Sequence, residues 1–136
     1  MALPLWANFE VLNICSRLRA NLNIAYFLHL FSNPFNPTPG VTLAQFTECA
    51  FGGYAPLSLN GLWSAATFVQ DGQYELTAAP FVFNCTGSPS GQIAGWYLTQ
   101  GTSVAACEAF TTPIQMSTGS SFSLTLRPQV ISQSIL

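Results

Sequence analysis

Lysine is absent from this 136-residue sequence, and charge of either sign is scarce. Arg17, Arg19, Arg127, Glu10, Glu48, Asp71, Glu75 and Glu108 are the only charged side chains, 6% of the residues, where a soluble domain usually has about 25%. Three basic groups and a net charge of −2 leave almost nothing to neutralise phosphates, so no nucleic-acid partner is expected. No apolar run reaches the ~20 residues needed for a membrane-spanning helix, so no membrane partner is expected either. The first residues, Met1 to Glu10, lack the basic start and unbroken apolar run of a signal peptide.

Reactive groups are equally few. Histidine occurs once, as His29, and catalysis there would need a nucleophile or carboxylate brought to it by the fold. Glu48 and Glu108 each lie beside a cysteine, and on neighbouring strands they could imitate the two carboxylates of a glycosidase. A salt bridge to one of the arginines, or simple exposure, is the blander reading. Cys15, Cys49, Cys85 and Cys107 show no Cys-x-x-Cys spacing and sit in apolar stretches, which predicts buried, reduced thiols rather than a metal site. Asn84-Cys85-Thr86 fits a glycosylation pattern that has no use without secretion. No catalytic, cofactor-binding or metal-ligating residue is assigned, no cofactor is implied, and an enzyme is not expected.

What the sequence does contain is apolar material: 49% hydrophobic and 13% aromatic residues, enough for a real core. Ser, Thr, Asn and Gln must then form most of the surface. A lone monomer so poorly charged is weakly protected against association, whereas a permanent assembly covers much of each surface with neighbours.

Along the chain, Val11, Ile14, Cys15, Leu18 and Leu22 recur at helical spacing, which predicts an N-terminal helix within residues 1–22 with Asn8 as N-cap. Leu5, Trp6 and Phe9 lie off its main stripe and are candidates for contact with a neighbouring subunit. Residues 23–128 read as strands: Ile24 to Phe31, Thr67 to Gln70, Gln73 to Leu76, Phe81 to Cys85, Ile93 to Thr99, Val104 to Phe110 and Phe122 to Leu126. Asp71-Gly72 between two of them predicts a tight hairpin. Thr42 to Phe46 fits one helical turn. The expected fold is a single mainly β domain over 1–136, an antiparallel sandwich or barrel of about seven to eight strands with one helix. Residues 129–136 form a C-terminal arm in this reading, and Val130, Ile131, Ile135 and Leu136 are its candidate interface residues.

Several segments carry a resemblance. Tyr26-Phe27-Leu28-His29-Leu30-Phe31-Ser32-Asn33 is followed by Thr38-Pro39, by Thr42-Leu43-Ala44-Gln45-Phe46-Thr47-Glu48 and by Gly53-Tyr54-Ala55. Further on come Gly95-Trp96-Tyr97, Glu108-Ala109-Phe110-Thr111-Thr112-Pro113-Ile114 and Leu124-Thr125-Leu126-Arg127-Pro128. Together these resemble small virion proteins of tailed bacteriophages, with Gln45 standing where an acidic residue is usual. The resemblance implies a structural component of the virion, assembled in the host cytoplasm, and carries over no catalytic residue. Within that class the expectation is a capsid decoration (cement) protein that binds the major capsid protein, working as a homo-oligomer, with a trimer as the guess. A tail or baseplate adaptor is the alternative, with other virion proteins as its partners. A second alternative is a carbohydrate-binding module stacking sugars on Trp63, Trp96 and Tyr97.

Overall fold

A computed structural model describes residues 26–70 and 73–131, with backbone only for 129–131. The predicted N-terminal helix and its candidates Leu5, Trp6 and Phe9 lie outside the described residues, as do Asp71, Gly72, Ile135 and Leu136. The chain divides into two compact units, so that residues 23–128 are shared between them. One, here the main-sheet unit, comprises Ala25–Ser58 and Phe81–Leu124; the other, the hairpin unit, comprises Met1–Ile24, Leu59–Pro80 and Thr125–Leu136.

The main-sheet unit holds a four-stranded antiparallel sheet in the order β2-β1-β6-β7. Its strands are β1 (Tyr26–Phe31), β2 (Leu57–Ser58), β6 (Gly91–Gln100) and β7 (Ser103–Met116). A second ribbon in the same unit pairs β5 (Phe81–Asn84) with β8 (Ser121–Leu124). The hairpin unit contains a three-stranded sheet, β3-β4-β9, from Thr67–Gln70, Gln73–Glu75 and Gln129–Ile131. The mainly β, antiparallel expectation is met. The barrel alternative is not: among the described residues all three sheets are open, and nine strands are present rather than seven or eight.

Register decides which side chains share a face, because directly opposed residues point the same way and neighbours in sequence point oppositely. Pairing of Tyr26 with Gln100 through Phe31 with Gly95 puts His29, Phe31, Gly95, Tyr97 and Thr99 on one face. Leu28, Leu30, Trp96 and Leu98 fall on the other. The first face builds an aromatic cluster of Phe31, Phe46 and Tyr97, with Phe35, Val41 and Leu43 packed against it. Leu28, Leu30 and Phe31 are completely buried, as suits a strand lying between two neighbours.

Two glycines are required by this packing. A Cβ at Gly95 would collide with the Glu108 carbonyl and the Phe31 ring, so only glycine lets that ring lie against β6. Gly101, at φ 60°, supplies the left-handed residue in the two-residue turn that sets Gln100 opposite Ser103. Farther along the β6–β7 ladder the register shifts: Ile93 opposes Ile114, yet Gly95 opposes Ala109. Phe110 to Pro113 therefore bulge outward opposite Ala94, which is how a proline is accommodated within β7.

In the hairpin unit Gln70 opposes Gln73, with two residues between them, as the Asp71-Gly72 signal requires. The expected arm begins as structure: the backbone of Gln129–Ile131 is the outer strand β9, paired to β4 from Glu75 through Gln73.

Candidate functional site

The densest chemistry lies on the aromatic face of the main sheet. β1 and β6 place His29 directly opposite Tyr97. The chain after β1 then folds back on itself. Asn33 fixes this return, its Oδ1 accepting the Thr47 N–H at 2.7 Å and its Nδ2 donating to the Gln45 carbonyl at 2.9 Å. Leu43–Gln45 form a single 3₁₀ turn, within the Thr42 to Phe46 segment where a turn is expected. Gln45 Oε1 accepts the Thr42 N–H at 2.9 Å while the Gln45 N–H donates to the Thr42 carbonyl at 3.1 Å. The result is a β-bridge between Glu48 and Phe31, which brings Glu48 onto the face that carries His29.

His29 and Glu48 are thus joined, with Nδ1 to Oε1 at 3.0 Å. A donor at Nδ1 leaves Nε2 as the acceptor in the neutral ring, and Thr99 Oγ1 lies 2.9 Å from it. Tyr54 Oη donates to the same Glu48 Oε1 at 2.9 Å and accepts the Leu30 N–H at 3.0 Å. That N–H belongs to the part of β1 beyond the reach of the two-residue β2, so a side-chain hydroxyl completes the strand's hydrogen bonding. Tyr97 Oη approaches Glu48 Oε2 at 3.5 Å. The rings are stacked in order: His29 on Tyr97 at 4.7 Å and 9°, Tyr97 on Phe46 at 4.3 Å and 13°.

Burial, with the Glu48 charge second, pushes the Tyr97 hydroxyl up to about 12. Tyr54 is raised as well, by burial first, against the lowering effect of the Leu30 hydrogen bond. Both phenols therefore stay protonated and donate to the carboxylate. Cys49, beside Glu48, is pushed up to about 12 by burial and then by that charge, and its Sγ donates to the Gln92 carbonyl at 3.3 Å. A thiol so disposed is a structural group and a poor nucleophile. Cys49, Cys85 and Cys107 are all free thiols, the first two buried, while Cys15 lies outside the described residues.

An open cleft of about 290 Å³ adjoins this network, lined by His29, Leu43, Phe46, Glu48, Tyr97, Thr99 and Gly101. Carboxylate, imidazole and hydroxyl are connected in the sequence used to activate a nucleophile. Thr99, however, is only 5% exposed and sits inside β6, so its hydroxyl serves the imidazole and is not presented to a substrate carbonyl. What the cleft does offer is a fixed, half-exposed carboxylate beside apolar walls, Glu48 being 38% exposed.

The other sequence candidates are separated by the fold. Glu108 opposes Trp96 in β6, which faces away from Tyr97, so the two glutamates lie on opposite faces and form no paired-carboxylate site. Trp63 and Tyr97 are buried at 2% and 4% exposure, which leaves little of either ring free for stacking, and Trp96 points from the opposite face of the sheet to Tyr97. Val130 and Ile131 are placed by backbone in β9. The joining of His29 to Glu48, 19 residues apart, is the element that sequence reasoning missed. Its only trace is the single histidine in an apolar strand, followed by a Pro/Gly-rich return. Among the described residues no group of three or more His, Cys, Asp or Glu side chains could hold a metal ion, and no helix is long and apolar enough to cross a membrane. Compared with protein-family models, with curated proteins and with solved structures, the chain matches none.

Proposed function

We propose that this chain is a structural component of a tailed-bacteriophage particle, a capsid decoration protein that packs on the major capsid protein and stabilises the shell. In this reading it is not an enzyme; it acts as a homo-oligomer in the virion and is assembled in the host cytoplasm. One observation carries the reading. Strand β3 is the outer strand of its sheet, every residue in it is exposed, and it bears Phe68 and Val69 at 54% and 43% exposure with no charged residue among its four. Isolated domains usually protect such an edge with charge, proline or a covering element. Apolar surface of this kind is suited to being covered by another protein. The scarcity of charge and the resemblance of the chain to phage virion proteins support the same reading.

Copy number in purified particles tests it. A decoration protein is present in hundreds of copies on the shell, visible by cryo-electron microscopy and quantitative mass spectrometry. A handful of copies at the tail would replace the decoration reading with the tail or baseplate one. Absence from particles would overturn both.

A further inference from the structure

The sequence has no lysine, and the main-sheet unit has no arginine either; its charged side chains are Glu48 and Glu108. Glu48 lines the cleft of about 290 Å³. Its two oxygens are not equivalent. Oε1 receives two donors, His29 Nδ1 at 3.0 Å and Tyr54 Oη at 2.9 Å, whereas Oε2 has only the 3.5 Å approach of Tyr97 Oη. A carboxylate has about four lone-pair positions, so Oε2 keeps open acceptor capacity. The three donors also hold the side chain in place, so binding there costs little further ordering.

We propose that this cleft receives the ammonium group of a lysine side chain belonging to a different protein. The chemistry separates lysine from arginine. A guanidinium gains most from two parallel bonds to both carboxylate oxygens, and Oε1 is already filled on this side chain. A compact ammonium is served by one open oxygen, and its methylene stem lies along apolar walls such as Leu43 and Phe46. A volume of about 290 Å³ is at the small end of ligand pockets and suits one side chain better than a drug-sized molecule. A second copy of these 136 residues supplies no lysine, so the occupant comes from another protein. The inference rests on the reading that the chain works by packing against other proteins, and it names the chemistry of one contact.

The test is a titration of the isotopically labelled full chain, followed by two-dimensional NMR. The probes are Nα-acetyl-lysine methylamide, its Nε-acetylated neutral analogue and Nα-acetyl-arginine methylamide. The lysine probe is expected to shift the signals of Phe46, Glu48, Tyr97 and Thr99 saturably, and to bind more weakly as salt is added. Glu48→Gln, which keeps the shape of the side chain, is expected to weaken it by about tenfold or more, the loss of one charge-assisted hydrogen bond. The neutral and arginine probes should bind more weakly to the unaltered protein. That comparison stands even if the variant proves unstable. No saturable shift with the lysine probe, equal binding of the neutral probe, or arginine binding as tight as lysine would each overturn the proposal. None of these outcomes would change the copy number in particles, so this inference and the particle role fail separately.

Discussion

The two units divide the few charges unevenly, six of the eight falling in the hairpin unit and two in the main-sheet unit, and they cover their apolar strands differently. In the main-sheet unit, β1 lies between β2 and β6, Leu28, Leu30 and Phe31 are buried while Phe27 is 43% exposed, and the polar groups His29, Glu48, Tyr54 and Thr99 answer one another. In the hairpin unit Leu59, Trp63 and Leu76 are buried, yet β3 turns Phe68 and Val69 outward, with Phe68 resting edge-on against Tyr74 at 5.6 Å. The main-sheet unit alternates exposed apolar residues such as Phe27 and Val82 with buried neighbours, whereas in the hairpin unit all four residues of β3 are exposed. Composition alone does not show this difference, because exposure depends on which face of which strand a residue occupies.

The largest effect that would break this contrast comes from Gly95→Val. The added side chain meets backbone and a buried ring, so a loss of about 3 kcal/mol or more is expected in urea unfolding. A variant as stable as the parent would mean that the main sheet is not tightly packed at all. Next, Thr99→Val removes the hydroxyl partner of His29 Nε2 and should cost about 1–3 kcal/mol. Unchanged stability would show that the polar network contributes nothing to that unit.

A third expectation concerns alkaline pH. Cys49 and Tyr97 are raised from ordinary values of 9.0 and 10.0 to about 12 in the folded chain. The unfolded chain therefore releases these protons first. Their contribution to stability is complete below about pH 9 and is lost as pH rises toward about 12. Thermal melts at about pH 8 and about pH 11 should show the higher-pH sample melting earlier, with a smaller difference in Cys49→Ala. Equal melting temperatures would remove burial of these groups as a source of stability.

The smallest effect on stability, and the sharpest on the comparison, is that of Phe68→Ser. An exposed side chain contributes little to its own fold, so stability should stay within about 0.5 kcal/mol of the parent. Self-association in analytical ultracentrifugation should fall. If association is unchanged, β3 is not the surface through which copies meet.

Much of the strand pattern is legible in the residues. Thr67 to Gln70 and Gln73 to Glu75 pair across Asp71-Gly72 because only a two-residue connection is available, and the 3₁₀ turn falls within the Thr42 to Phe46 segment. Other features are invisible for physical reasons. Strand β2 is two residues long, too short to show any alternation. Strand β7 continues from Phe110 through Pro113 to Met116 because a bulge absorbs the proline, and local propensity signals a stop there. In β8, pairing ends at Leu124, although the alternation of Phe122, Leu124 and Leu126 continues beyond it. The candidate site was the least legible part. His29 and Glu48 meet because Asn33 and the backbone bonds of Ser32 to Thr47 and of Cys49 to Leu30 pin the return of the chain, and a contact between distant segments leaves no periodic mark in the sequence.

The hydroxyl of Tyr54, standing in for a missing strand beside Leu30, has a consequence for how this sheet can grow. On that side the exposed edge strand is two residues long, while on the opposite side β7 runs for fourteen. In the language of polymer chemistry the sheet has a valence of one. Two copies joined along β7 would each have used their only long edge, and a third would find none to extend. Strand addition at this sheet therefore terminates in pairs, and a larger shell or ring must use surfaces other than the edges of this sheet.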